Sequence, residues 1–171
     1  MSFVGHATFL LQGAGLNVLV DPVWSERASP LSFAGPKRVN LPGIAFDDLP
    51  PIDAILVSHG HYDHLDVETL ARLWRRDRPR IVAPLGNDAA IRGHEPDIAV
   101  TTADWGDAVS LGNGVEVVLE QVHHWSARGL TDRLFTRAYL PGDEPDALLD
   151  GLDSGRRATL ITTREQRGLL F

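Results

Sequence analysis

Three of the seven histidines in this protein fall within Ser58-His59-Gly60-His61-Tyr62-Asp63-His64, together with one carboxylate. The cluster comes straight off the apolar run Ala54-Ile55-Leu56-Val57, which reads as a buried strand. Imidazoles and carboxylates at such a strand end make a poor core and a good metal site. If the chain leaves the strand extended, His59 and His61 share a face, because side chains two residues apart in extended backbone point the same way. Those two can hold one ion. Asp63 and His64 project differently as the chain turns into a helix, so they can hold a second ion at the roughly 3.5–4 Å separation usual in two-metal hydrolytic sites. The bland alternative is a solvated, histidine-rich loop, but an internal cluster preceded by a strand is unlike a terminal tag.

The elements that must position this loop are readable around it. Ser2-Phe3-Val4 and Thr8 to Gln12 read as two short strands broken at Gly5-His6, and Gly13-Ala14-Gly15 signals a hairpin into Leu16 to Val20. His6 fits either a group supporting a ligand or a hydrogen-bonded structural histidine. Residues 22–53 show no sustained period, and Trp24, Phe33 and Phe46 favour an ordered wall of a site over a flexible linker. Asp66 can cap a helix through Val67 to Trp74, followed by short strands at 81–83 and 98–101 around a short helix at 86–92. This βαβ rhythm sets parallel strands beside the histidine loop. Asp104-Trp105-Gly106-Asp107 reads as a structural turn, and Val115 to Leu119 is a further strand that delivers a second histidine pair, His123-His124.

A chain of 171 residues is one domain by size and can bury roughly two-thirds of its unfolded surface. The formal charge of −7 and a pI near 5.4 argue against nucleic acid, whose phosphates need a basic surface. They suit a cytoplasmic protein. With no cysteine, disulfides and thiolate ligands are excluded, so a bound metal must take nitrogen and oxygen donors. No apolar run approaches the roughly 20 residues needed to span a bilayer, and the first residues lack a signal-peptide pattern. Lys37-Arg38 is the place where this acidic chain could meet a phosphate, although a surface pair is often simply solvated.

The signature H-x-H-x-D-H, standing here as His59, His61, Asp63 and His64, resembles that of the metallo-β-lactamase superfamily. Around it, Gly5-His6-Ala7-Thr8, Asp21-Pro22-Val23, Arg27 to Pro30, Phe33 to Arg38, Leu49 to Asp53 and His124 to Gly129 are similar to the branch containing N-acylphosphatidylethanolamine-hydrolysing phospholipase D and its bacterial relatives. The resemblance implies an α/β fold, a metallo-β-lactamase-like αββα sandwich, with two Zn²⁺ ions in the intact family and one or two here. It implies metal ligands at His59, His61, Asp63, His64 and His124, with Asp63, the carboxylate assigned to catalysis, on the metal rather than acting as a free base. Asp21 is expected near the metal loop, and Trp125 and Arg128 along the pocket. The implied activity is a zinc phosphodiesterase acting on N-acyl phospholipids or similar phosphodiesters. The substrate is then a small molecule or lipid, with peripheral membrane contact left open.

The likeness covers about residues 2–133. The family also carries a bridging Asp and a distant final His, whereas no histidine follows His124 here and Gly142-Asp143 is a poor match in context. Expected domains are therefore residues 1–133, the N-terminal part of such a sandwich truncated after its first sheet and helices, and 134–171, a non-matching tail that is frameshifted or disordered. Within that tail 158–163 reads as a strand. A short variant completed by dimerisation is the rival. Two functional alternatives stand beside the phosphodiesterase: a non-catalytic remnant binding one metal ion or none, and a lactone or other ester or amide hydrolase.

Overall fold

The computed structural model describes residues 1–31 and 33–121, and the backbone of a strand over 157–162. Strands β1 (Ser2–Gly5), β2 (Thr8–Gly13) and β3 (Leu16–Val20) open the chain. Residues 21–53 lead to β4 (Ala54–Leu56), followed by helix α1 (Val67–Asp77), β5 (Arg80–Pro84), helix α2 (Asn87–His94) and β6 (Val100–Ala103). Strands β7 (Ala108–Gly112), β8 (Val115–Gln121) and β9 (Arg157–Thr162) follow.

The first sheet runs β1 to β6 in chain order, antiparallel from β1 to β3 and parallel from β3 to β6. Its opening hairpin is closed by Ala14 and Gly15, both at positive φ (51° and 74°), the conformation that matches the twist of paired strands in a two-residue loop. The crossover from β4 to β5 is α1, whose start is set by Asp66: its carboxylate accepts from the Thr69 amide at 3.1 Å. The second sheet pairs β7 with β8 antiparallel and β8 with β9 parallel.

Strand parity explains the layers. Leu19, Ile55, Val57, Ile81 and Ala83 pack on one face of the first sheet with Leu70, Ala71 and Leu73 of α1 and Ile91 of α2. Their neighbours Val18, Ala54, Leu56 and Val82 face the other way, onto Leu111, Val117 and Leu119 of the second sheet. Because side chains alternate along a strand, a central strand covered on both faces must be apolar at every position, which is why 54–57 is unbroken Ala-Ile-Leu-Val. The fold is the expected α/β sandwich of the metallo-β-lactamase type, but it does not stop after the first sheet and helices as expected: the described residues supply three of its layers, helices, sheet and a second sheet of β7 to β9.

The segment between β3 and β4 is ordered against this frame. Trp24 donates its indole N–H to the Ile44 carbonyl at 3.1 Å and meets Phe46 edge to face, with ring centroids 6.0 Å apart. Asp66, buried, accepts from the amides of Trp24 (3.2 Å) and Ser25 (2.9 Å), so the residue that caps α1 also clamps this segment. No helix among the described residues is long and apolar enough to cross a membrane.

Candidate metal centre

The parallel strands end together, and the polar residues gather at their carboxyl ends, the usual place for a ligand in an α/β sheet. Asp21 follows β3, residues 58–64 follow β4, and His6 sits in the turn entering β2 beside β3.

Asp21 organises the loop. Thr8, fully buried, donates its hydroxyl to the Asp21 carbonyl at 2.7 Å and accepts from the Val23 amide at 3.2 Å, which holds Asp21 at a φ of 43°. The buried Asp21 carboxylate then accepts three bonds. The Ser58 amide reaches Oδ1 at 2.7 Å, while the Ser58 hydroxyl (2.6 Å) and His64 Nδ1 (2.8 Å) reach Oδ2. The consequences run outward through the imidazoles. His64 gives its Nδ1–H to Asp21, leaving the Nε2 lone pair free to ligate. Ser58 Oγ, having spent its proton on Asp21, accepts from His59 Nδ1 at 2.9 Å, which likewise puts the His59 lone pair on Nε2. One carboxylate thereby sets the tautomers of two histidines, the role outer hydrogen-bond partners play around metal ligands.

Atoms that can ligate gather at two spots. His59 Nε2 and His61 Nδ1 share a hydrogen bond at 2.9 Å, and His64 Nε2 lies 3.9 Å from Asp63 Oδ2. Two donors about 2.0–2.2 Å from one tetrahedral ion lie about 3.3–3.6 Å apart, and the two separations fall a few tenths of an ångström either side of that distance. The donor set is nitrogen and carboxylate oxygen, and it fits zinc. The His59 and His64 rings lie tilted at 45° with centroids 4.0 Å apart, so the two spots adjoin. Burial raises the Asp63 carboxyl, but the positive charge that His64 and His6 carry when protonated, with the hydrogen bonds from its own backbone and from His6, outweighs it, and the group sits below the usual carboxylate range.

The structure thus brings together His59, His61, Asp63 and His64, and places Asp21 beside them as expected. His6, whose role was open between support and structure, donates its Nε2–H to Asp63 Oδ2 at 2.8 Å. Ser58 was missed as the relay between Asp21 and His59; its position directly before the first histidine was the available signal. His124, with His123, Trp125, Arg128 and Asp143, lies outside the described residues. A cleft of about 760 Å³ opens beside the loop, lined by His6, His61 and Asp63 together with Lys37, Arg38 and Leu41. Arg38 is tied to the backbone through the Val23 carbonyl at 2.7 Å, whereas Lys37 faces Glu26 loosely at 3.5 Å.

Comparison with known proteins agrees with this frame. Residues 16–139 match the beta-lactamase superfamily domain. An N-acyl-phosphatidylethanolamine-hydrolyzing phospholipase D of Caenorhabditis elegans is 36% identical over 163 residues, covering 83% of this chain and 46% of that protein. An uncharacterized protein of Mycobacterium tuberculosis is 38% identical over 132 residues, covering 77% and 35%, and a UPF0173 metal-dependent hydrolase of Pyrobaculum islandicum is 32% identical over 127 residues, covering 73% and 50%. The chain belongs to the metallo-β-lactamase superfamily, in the branch that holds these phospholipases D and metal-dependent hydrolases. It spans about a third to a half of the length of these relatives.

Proposed function

We propose that the chain carries the metal-binding part of a metal-dependent hydrolase acting on a phosphodiester, an N-acylated phospholipid or a similar compound. The observation that carries the proposal is the convergence of ligand-competent atoms at two adjoining spots, His59 with His61 and His64 with Asp63, of which His61 and Asp63 line a cleft. Zinc bound there lowers the pKa of a coordinated water to near 7 and polarises the oxygen under attack. The chain's own groups do the rest. Asp21 and Ser58 hold His59 and His64 in the tautomers that ligate, and Asp63, kept ionised, serves as ligand rather than free base. Lys37 and Arg38 offer positive charge in the cleft for the phosphate, and the apolar stretch Val39 and Leu41 beside them suits an acyl chain. His124 is proposed as the third ligand beside His59 and His61, and residues 134–171 as a tail that departs from the family pattern, although β9 within it pairs with β8.

The test is metal content and turnover on the same preparation. Purified protein should carry zinc by elemental analysis, and His61→Ala should lose it. Hydrolysis of an N-acylphosphatidylethanolamine and of bis(p-nitrophenyl) phosphate, with a lactone as comparator, then fixes the substrate class. Unchanged metal content in His61→Ala would refute the site. Zinc bound without turnover of any of the three would leave a metal-binding remnant and refute the hydrolase.

A further inference from the structure

His6 lies outside the H-x-H-x-D-H motif, 57 residues from Asp63 in sequence, yet its Nε2 reaches Asp63 Oδ2 at 2.8 Å. The same oxygen is 3.9 Å from His64 Nε2, and the His6 and His64 rings meet edge to face with centroids 5.5 Å apart. One ligand atom from each of His6, Asp63 and His64 lies within 4.8 Å of the other two. Resting on the metal-centre proposal above, we propose that His6 is a direct ligand of the second ion, forming with Asp63 and His64 a three-residue site that the loop motif alone does not define.

Three independent features support a ligand over a packing histidine. First, His6 is a β1–β2 turn residue held at a φ of 52°, beside a register break in the β1–β2 ladder, and such backbone outliers cluster where a side chain must be aimed. Second, its ring is exposed, so it is not there to fill the core. Third, His64 has already committed Nδ1 to Asp21, so the nitrogen it turns toward Asp63 and His6 is its lone-pair nitrogen. Two imidazole nitrogens and one carboxylate oxygen, with the remaining side open to the cleft, are the donor set and access of a catalytic zinc site. A supporting role is the competing geometry, in which His6 simply donates Nε2–H to Asp63.

Chelator-stripped full-length protein, titrated with Zn²⁺ by calorimetry and with Co²⁺ by its visible absorption, separates these roles in wild type, His6→Ala, His6→Gln and His61→Ala. Glutamine keeps an N–H donor near the Nε2 position but ligates poorly. Both His6 variants should weaken one metal-binding step by more than the roughly 10–100-fold that loss of an outer partner costs, and should alter the cobalt spectrum. His61→Ala should remove the other step. Thermal unfolding in chelator should be near wild type for both His6 variants, showing that the fold is kept. A wild-type second step and spectrum in His6→Gln would reduce His6 to a hydrogen-bond donor and overturn the proposal, as would an unaffected His6→Ala. Wild-type protein that takes up neither ion would overturn the metal centre itself, a distinct result.

Discussion

Asp21→Asn separates metal binding from folding in a way that follows from the bond pattern. Asp21 Oδ1 accepts from the Ser58 amide, while Oδ2 accepts from the Ser58 hydroxyl and His64 Nδ1. Asparagine can keep its oxygen on the Ser58 amide and place its NH₂ where Oδ2 was. Its two N–H groups then face Ser58 Oγ and His64 Nδ1, so His64 must move its proton to Nε2. Ser58, now accepting from the amide, turns its own proton onto His59 Nδ1, which moves the His59 proton to Nε2 as well. Every buried group stays bonded, and the fold should survive. Both metal-facing nitrogens, however, now carry hydrogen. Restoring the ligating tautomers sets donor against donor, at about 1–3 kcal/mol for each buried group left unsatisfied. Zinc affinity should therefore fall roughly 10–100-fold, or about 1.4–2.7 kcal/mol. In chelator the thermal midpoint should move by no more than about 2–4 °C, the shift for 1 kcal/mol in a domain of this size. Zinc calorimetry and thermal unfolding on one preparation test both halves. An Asp21→Asn protein that binds zinc as tightly as wild type would refute the tautomer relay.

Two further outcomes follow from the same geometry. Asp66→Ala removes the α1 cap and the acceptor for the Trp24 and Ser25 amides, so unfolding free energy should drop by about 2–4 kcal/mol in urea titrations at unchanged slope. Asp63 has a carboxyl lowered in the folded state, so its contribution to stability is present above the ordinary carboxylate value and is lost as pH falls through the lowered one. In chelator, the stability gap between wild type and Asp63→Asn should therefore narrow below about pH 4, and a gap that widens there would contradict the assignment.

Much of this was legible in the sequence because the signals were local. Gly13-Ala14-Gly15 predicted the hairpin, Asp66 the start of α1, and the two-residue spacing of His59 and His61 their convergence. The unbroken apolar run at 54–57 pointed to a strand covered on both faces. Strand β7 escaped notice: Ala108 to Gly112 buries only Leu111, so it carries little apolar signal and depends on its pairing with β8. Strand β6 lies two residues later than its apolar letters suggested, because Ile98 packs in the helix-side core before the strand begins. The contact of His6 with Asp63 was invisible for a different reason. It depends on where the β1–β2 turn lands relative to β4, and strand order is a property of the whole sheet rather than of any window of sequence.

The separations bridged at the centre also set an order of events in time. His64 meets Asp21 across 43 residues and His6 meets Asp63 across 57, so neither contact can form until β2, β3 and β4 lie side by side. Closing the chain between β3 and the parallel β4 is a slow, non-local step. An ion arriving earlier would find only the bare loop, with its histidines free to adopt either tautomer. On the proposed metal centre, loading with the full donor set is therefore expected after the first sheet has formed.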